Sequence, residues 1–446
     1  MPAAAPLEPA VEHLLRRETP QVLGALVRRF SRFDVAEDAV QEALLAAAQQ
    51  WPVDGVPSDP RSWLIRVGYR RMVDLLRSEQ ARHRRERVVG VGDLAMAEPA
   101  RRARPVSDDD SLTVLLLCCH PALSPTSQVA LTLRAVGGLS TGEIAHAYGM
   151  AETTMGTRIS RAKQQLAKAG ARFVAPTPQD RDERLRAVLT VLYLVFNEGY
   201  TATAGSSLGR VDLAREAIRL TRMARDLAPE DAEIAGLLAL MLLTEARRAA
   251  RTDARHRLVP LEEQDRRLWD AGMIDEARGI LEAVWVRREV GAYQLQAAIA
   301  AVHADAASEA DTDWPQIAAL YLWLERLTPT GPVRLSRVVA VARAFGATRG
   351  LDLLDALDRE HGLSEDPLTR GRARAVRAHL LDELGRSDDA AATFRAAAGL
   401  TQNDVERDYL LARAARADGR AGSPGEGRGT GTGTDTGTGT GTGAGS

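Results

Sequence analysis

A chain of 446 residues is too long for one compact core, so two to four domains are expected. Aromatic residues make up only 4% of it, alternating β-branched runs are rare, and apolar residues recur every three or four positions, so the class is all-α. The net charge of −2 hides a division, because residues 1–175 hold 23 basic against 19 acidic residues and the rest 35 against 41. A near-neutral total therefore does not exclude nucleic-acid binding by the first part.

Composition argues against a membrane protein and a metalloprotein. The opening residues, MPAAAPLEPAVEHLL, lack a basic stretch leading into an apolar one, and the longest apolar runs are too short to span a bilayer. We expect a soluble, cytoplasmic protein that does not contact membrane. The only two cysteines, Cys118 and Cys119, lie beside His120 with no other cysteine or histidine at ligand spacing, so we predict core packing, no metal and no cofactor.

Breaks in helical periodicity divide the chain. After three predicted helices the pattern dissolves into VVGVGDLAMAEPARRARPVSDDD, and AGARFVAPTPQD interrupts it again after a second helical cluster. The last stretch, rich in glycine and threonine, has nothing to bury and is predicted to be disordered. The predicted segments are a helical domain at 8–87, a linker at 88–108, a second helical domain at 109–170, a long helical region at 180–418 and a disordered tail at 421–446.

The helix predicted at 34–50 exposes acidic and polar residues. Asp34 is expected to cap it, with Glu37 at the third position, and apolar residues face inward. We call the exposed set the acidic stripe: Asp38, Gln41 and Glu42. A protein partner with basic residues suits this stripe better than DNA does, although a plain amphipathic helix has the same pattern.

The helix predicted at 61–77 is rich in arginine. Its predicted core stripe is Ile65, Tyr69, Met72, Val73 and Leu76. So many arginines on the other face favour a surface that follows phosphates. Trp63 lies on that side, either to stack on an exposed base or, as the pattern favours, to join the core. We call this set the arginine face: Arg61, Trp63, Arg66, Arg70 and Arg77.

The stretch LSTGEIAHAYGMAETTMGTRISRAKQQL, residues 139–166, has the pattern of a helix-turn-helix. Ser140 and Glu143 form a capping box, and Gly149 suits the corner. In the second helix Met155, Ile159, Ala162 and Leu166 form one buried stripe. The open faces carry short hydroxyls and cations, which suit phosphates and base edges in a major groove. We call them the recognition face: Thr153, Thr154, Thr157, Arg158, Arg161 and Lys163.

The region 180–418 contains ten or eleven predicted helices with short connections. Three of them open with Gly-x-x-Asp-x-Ala, starting at Gly209, Gly272 and Gly385. Glycine is expected to end one helix, aspartate to cap the next, and alanine to let the pair pack closely. This pattern favours a degenerate α-solenoid of the tetratricopeptide (TPR) kind, although the spacing is not a regular repeat.

A polar cluster ends the first helix of this region. It consists of Asn197, Glu198, Gly199 and Tyr200. No histidine, serine nucleophile or metal spacing surrounds it, so an interface or loop-ordering role is favoured over catalysis. We predict no catalytic residues in the chain.

Three segments, in this order, resemble the bacterial RNA polymerase sigma factors of the extracytoplasmic-function (ECF) group. FDVAEDAVQEALLAAAQQWP and PRSWLIRVGYRRMVDLLRSE are similar to sigma region 2, and the stretch 139–166 is similar to sigma region 4. The long helical region, with YLVFNEGYTATAG near its start, resembles the TPR-like C-terminal extension of one ECF subgroup. This implies that domain 8–87 is region 2, domain 109–170 is region 4 and 180–418 is the extension.

The resemblance also implies roles for the three surfaces. The acidic stripe matches the face that docks on the clamp helices of the polymerase β′ subunit. The loop 52–60 and the arginine face match the part that captures the opened −10 element, and the recognition face matches the helix that reads the −35 element. The implied partners are core RNA polymerase, through the β′ clamp helices and the β flap, and promoter DNA. A protein or ligand partner of the extension is also implied.

Two other classes of protein fit the sequence less well. A helix-turn-helix regulator with a TPR-like sensory domain, which does not bind core polymerase, needs neither the acidic stripe nor the arginine face. An enzyme would need a phosphate loop, a zinc-protease motif or a nucleophile elbow, and the sequence has none of these.

Overall fold

The computed structural model describes residues 9–86, 109–148, 150–170, 178–201, 204–205, 211–255, 257–286 and 290–421. These residues form eighteen α-helices, three short 3-10 turns and one pair of two-residue strands, which confirms the all-α class. The helices are α1 (Pro9–Phe30), α2 (Phe33–Asp54), α3 (Pro60–Glu86), α4 (Asp109–Cys118), α5 (Pro125–Ala135), α6 (Thr141–Ala147), α7 (Glu152–Lys168), α8 (Pro178–Tyr200), α9 (Val211–Leu227), α10 (Ala232–Glu245), α11 (Ala271–Trp285), α12 (Ala292–Asp305), α13 (Trp314–Leu327), α14 (Gly331–Phe345), α15 (Ala347–His361), α16 (Arg370–Glu383), α17 (Ser387–Ala398) and α18 (Asp404–Ala421). The strands are β1 (Ala204–Gly205) and β2 (Gln402–Asn403). The predicted linker and all but the first residue of the predicted tail lie outside the described residues.

Helices α1, α2 and α3 pack on one another. The start of α2 differs from expectation, because the helix begins at Phe33 and has no side-chain cap. Asp34 lies inside the first turn, where its carboxylate pairs with the guanidinium of Arg32 at 2.8 Å. The predicted cap is therefore wrong, although an acidic residue in the first turn still suits the positive end of the helix dipole.

The buried stripe of α3 includes the predicted Met72 but is otherwise shifted by one residue from the predicted one. Leu64, Gly68 and Met72 are buried, whereas Tyr69 is exposed and Ile65 only half-buried. Gly68 explains the rotation, because a Cβ there would lie 2.9 Å from the Cδ1 of Leu26 in α1. The small residue lets α1 approach α3 more closely than a larger side chain would allow.

The helix-turn-helix has the predicted local chemistry. The backbone N–H of Ser140 donates to a Glu143 carboxylate oxygen at 2.6 Å, and the N–H of Glu143 donates to Ser140 Oγ at 3.1 Å, so the capping box is confirmed. The predicted stripe of α7 is also confirmed, since all four of its residues are buried. The corner residue Gly149 lies outside the described residues.

Helices α8 to α18 form the extension, and consecutive helices pack together along it. The alanines of the three predicted openings are all fully buried, as close helix packing requires. The predicted caps are wrong at both openings that can be checked: Asp270, not Asp275, caps α11, and α17 begins without a side-chain cap. Strand β1, after α8, pairs in parallel with β2, before α18, and so joins the two ends of the extension.

One continuous hydrophobic core runs from Leu15 in α1 to Ala297 in α12. Helix α1 packs against α4, where Arg28 forms an ion pair with the buried Asp110. Helix α8 packs against α4 and α5, and α9 also contacts α4. The two amino-terminal helical domains and the first part of the extension are therefore joined through α4 and α5.

Candidate nucleic-acid and polymerase interface

The recognition face is largely open. Thr153, Thr154, Thr157 and Arg161 are exposed on α7, and Arg158 is half-buried. The Thr157 hydroxyl donates to the backbone oxygen of Thr153 at 2.9 Å. The threonine hydroxyls and the exposed guanidinium of Arg161 therefore remain available to phosphates and base edges.

Lys163 does not lie with the rest of the recognition face. Its ammonium is buried against α2, where it donates to Asp38 at 2.6 Å and to Glu37 at 3.0 Å. Burial alone would lower the pKa of Lys163, but the two carboxylates outweigh it and raise that pKa above its usual value. The expectation that Lys163 points to the open side is thus corrected for this conformation, because a buried carboxylate of another domain attracts it.

Each residue of the acidic stripe has a partner within the chain. The Glu42 carboxylate pairs with Arg71 of α3 at 3.3 Å. Asp38 pairs with Lys163, and the Gln41 side-chain amide donates to the backbone oxygen of Arg134 at 3.2 Å. Two of the three residues therefore contact the domain that carries the helix-turn-helix.

Glu37 and Arg134 are central to this contact, and both were missed as site residues. Glu37 is 1% exposed and accepts from Arg134 at 2.9 Å as well as from Lys163. A signal was present in the sequence, because Glu37 shares a helix face with Val40 and Leu44, where an apolar residue is expected. A carboxylate at such a position indicates a buried cationic partner, but nothing local identifies it.

The arginine face is open in part. Arg66, Arg70 and Arg77 are exposed on α3. Arg61 instead pairs with the buried Glu18 of α1 at 2.6 Å, so its guanidinium also holds two helices together. Trp63 is half-buried with its ring 5.5 Å from that of Trp51, an edge-on contact that supports the core interpretation.

The polar cluster at residues 197–200 lies at the crossing of α8 and α9. Gly199 is required there, because a Cβ would come within 2.3 Å of the Ala214 backbone nitrogen. The Arg251 guanidinium lies 3.6 Å from the centre of the Tyr200 ring, and the Tyr200 hydroxyl accepts from Arg247 at 3.3 Å. The cluster joins α8 to α9 and to the segment after α10, inside the extension.

The extension has a large, half-open cavity near this cluster. Its volume is about 1290 Å³, and aromatic and polar side chains from α8, α12, α13 and α14 line it. Among the residues lining it are Tyr193, Tyr200, Tyr293, Tyr321 and Arg247.

Cys118 and Cys119 are fully buried, which confirms their predicted core packing. Burial raises the pKa of the Cys119 thiol to about 12 and that of Cys118 well above its usual value. No group of histidine, cysteine and acidic side chains within the described part of the chain is arranged to hold a metal ion. Of the helices in the described ranges, none combines the length and the apolar character needed to cross a bilayer.

Comparison with known protein families identifies the two amino-terminal helical domains. Residues 14–82 match the model of sigma-70 region 2, and residues 113–166 match that of sigma-70 region 4. Residues 184–285, in the first part of the extension, match a family of unknown function. No solved structure matches the chain.

Three similar proteins narrow the family to which the chain belongs. An uncharacterized protein of Rhizobium meliloti is 42% identical over 88% of this chain and 92% of its own length. The RNA polymerase sigma factor NccH of Alcaligenes xylosoxydans is 30% identical over 36% of this chain and 94% of its own length. The ECF RNA polymerase sigma factor SigK of Mycobacterium ulcerans is 25% identical over 33% of this chain and 78% of its own length. The chain belongs to the RNA polymerase sigma factors of the ECF group, and it carries a long helical extension after region 4.

Proposed function

We propose that this protein binds core RNA polymerase, directs transcription from a specific set of promoters, and is modulated by its helical extension. The observation that supports this most strongly is that one chain carries regions 2 and 4 in order. Each region exposes polar and cationic side chains of the kind that bind nucleic acid. Core polymerase supplies most of the binding free energy for DNA. A near-neutral protein therefore needs only two small cationic surfaces to recognise its promoters.

Promoter DNA contacts are divided between two helices. On α7, the exposed hydroxyls and Arg161 read the −35 element in the major groove, with Arg158 beside them. On α3, Arg66, Arg70 and Arg77 follow the phosphates of the −10 element. Arg61 and Trp63 support that surface from its edge, since one pairs with Glu18 and the other packs on Trp51.

The acidic stripe on α2 docks on the clamp helices of the β′ subunit, and region 4 contacts the β flap. The stripe offers two carboxylates and an amide on the outside of a rigid helix, which suits a basic helical partner. The cavity in the extension is the place for a further protein or ligand partner, because it combines aromatic walls with the half-buried guanidinium of Arg247.

The proposal is tested by binding of the full-length protein to purified core polymerase, with another sigma factor as a positive control. We expect a stable complex, and a charge-reversed Asp38→Lys/Glu42→Lys variant should bind core more weakly without changing its promoter preference. A protein that reads a promoter but never joins core under these conditions would be a helix-turn-helix regulator instead.

A further inference from the structure

Two residues of the acidic stripe of region 2, Asp38 and Gln41, are bonded in the free protein to region 4 of the same chain. Glu37, buried at the centre, accepts from Arg134 of α5 at 2.9 Å and from Lys163 of α7 at 3.0 Å. Around it, Lys163 reaches Asp38 and Gln41 reaches the Arg134 backbone oxygen. We call this contact the clasp: Glu37, Asp38, Gln41, Arg134 and Lys163.

We propose that the clasp is an autoinhibitory contact, which occupies part of the polymerase-binding face of region 2 until core polymerase displaces region 4. The inference rests on the proposed function, because it takes the acidic stripe to be that face. Asp38 keeps 55% of its side chain exposed, but its Oδ1 and the Gln41 amide are already bonded to region 4, so a partner subunit has to compete for them. Lys163, one of the predicted DNA contacts, is withdrawn from the recognition face by the same bonds.

The charges explain why the clasp closes and why it can be opened. Glu37 and Asp38 face Lys163, and Glu37 also faces Arg134, so two carboxylates balance two cations at this contact. Such buried pairs add little net stability over solvated charges, but each partner is strongly disfavoured if it stays buried alone. If a basic surface on another protein binds Glu37 and Asp38, then Lys163 and Arg134 lose their partners. The closed arrangement of regions 2 and 4 then becomes unfavourable.

The extension does not cover the acidic stripe. It packs behind region 4, where α8 contacts α4 and α5 and the Arg219 guanidinium donates to the backbone oxygen of Val136 at 3.4 Å. Closure is consequently a property of regions 2 and 4, and the extension braces the part of region 4 that carries Arg134.

Closure in solution is tested first without polymerase, on the full-length protein. A zero-length carbodiimide joins an amine directly to a carboxylate as an amide, and the carbodiimide leaves as the corresponding urea. We expect a cross-link from Lys163 to Asp38 or Glu37, found by mass spectrometry, and its loss in Lys163→Met. A folded protein that yields no such cross-link, while a parallel carbodiimide reaction couples an added amine to its exposed carboxylates, would overturn the proposal.

Core binding is then compared among Glu37→Gln, Lys163→Met and their double variant. Weakening the closed state raises the fraction of open protein, so each single variant should bind core about tenfold more tightly and show faster amide exchange in α2 and α7. The double variant should gain little more, since both changes break one contact. The matched control is Glu325→Gln, which removes a carboxylate paired with Arg334 and Arg337 in the extension and should leave core binding unchanged.

The outcomes separate the two proposals. If every variant binds core as the parent does and exchange in α2 and α7 is unaltered, the clasp does not inhibit, although the proposed function stands. If neither parent nor variants bind core while the cross-link forms, the contact exists but the proposed function, and the inhibition built on it, are wrong.

Discussion

Arg158 and Arg161 lie one helical turn apart on α7 but differ in exposure. Arg161 projects into solvent, whereas Arg158 is half-buried, so Arg161 has the freer reach toward a base edge. We predict that Arg161→Ala costs about 1–3 kcal/mol of binding free energy at a dependent promoter and relaxes preference at one −35 position. Promoter binding by the polymerase complex across a panel of −35 variants measures this.

The neighbouring Gln164, also exposed on α7, supplies a matched control, and Gln164→Ala should leave the preference unchanged. Equal weakening of all promoters with a smaller salt dependence would instead assign Arg161 to a phosphate. No effect at any promoter would mean that the recognition helix has been misplaced.

His303 and His379 make the extension sensitive to acid. Burial, reinforced by nearby arginines, lowers the pKa of each imidazole to about 4, from an ordinary value of 6.5. Below pH 6.5 the unfolded chain binds protons that the folded chain does not, so the stability present at neutral pH is lost as the pH falls toward 4. We predict that each histidine lowers the free energy of unfolding by about 1.4 kcal/mol per pH unit in that window.

Urea unfolding of the full-length protein at several pH values between 7 and 4 measures this dependence. The double variant His303→Gln/His379→Gln should be less stable at pH 7 but should lose less stability on acidification. A variant whose stability falls as steeply as that of the parent would show that other groups cause the acid sensitivity.

At the scale of single elements, the contact between α8 and α9 depends on Gly199. A methyl group there would overlap the backbone at Ala214, so Gly199→Ala should force the helices apart and cost about 1–3 kcal/mol of stability. Gly279 in α11 is the matched control, because nothing lies within 4 Å of its added Cβ. Gly279→Ala should stabilise the protein by up to about 1 kcal/mol.

Thermal unfolding of the two glycine variants measures the difference. If both substitutions had the same effect, the close helix crossing would not be the reason for glycine at position 199, and the polar cluster beside it would need another explanation.

Sequence patterns predicted elements whose determinants are local. The capping box of α6 and the buried stripe of α7 depend on residues three or four apart, so both could be read directly. The stripe of α3 was displaced by one residue because the deciding neighbour, Leu26, belongs to another helix. The predicted helix caps failed for a related reason: aspartate after a glycine marks a cap only when the helix starts there, and α11 already starts at Ala271, capped by Asp270.

At the scale of the whole molecule, long-range pairing could not be read from the sequence. The partners of Glu37, Arg134 and Lys163, lie 97 and 126 residues away along the chain. The sequence around each cation does not indicate that it pairs with Glu37, and Lys163 is itself predicted to contact DNA. The composition of the acidic stripe favours a basic partner, and in the free protein Lys163 of region 4 pairs with Asp38 of that stripe while Gln41 donates to a region 4 backbone oxygen.

Packing of the extension on region 4 leads to a prediction about truncation. Cutting the chain after residue 175 would expose the faces of α4 and α5 that α8 and α9 cover, so promoter activity should fall. Removing only residues 421–446, a glycine- and threonine-rich segment, should change activity little. Reporter output from one dependent promoter, with the three proteins at matched abundance, gives the comparison, and a truncated protein more active than full length would make the extension an inhibitor.

The central claim is that this chain directs core RNA polymerase to particular promoters. The most direct measurement is transcription in vitro with purified core polymerase over a fragment library of the source genome, with start sites read by sequencing. We predict a small set of starts that share −35 and −10 elements, require the full-length protein and change when Arg161 is replaced. Starts that are identical with and without the protein, or that lack shared upstream elements, would contradict the account.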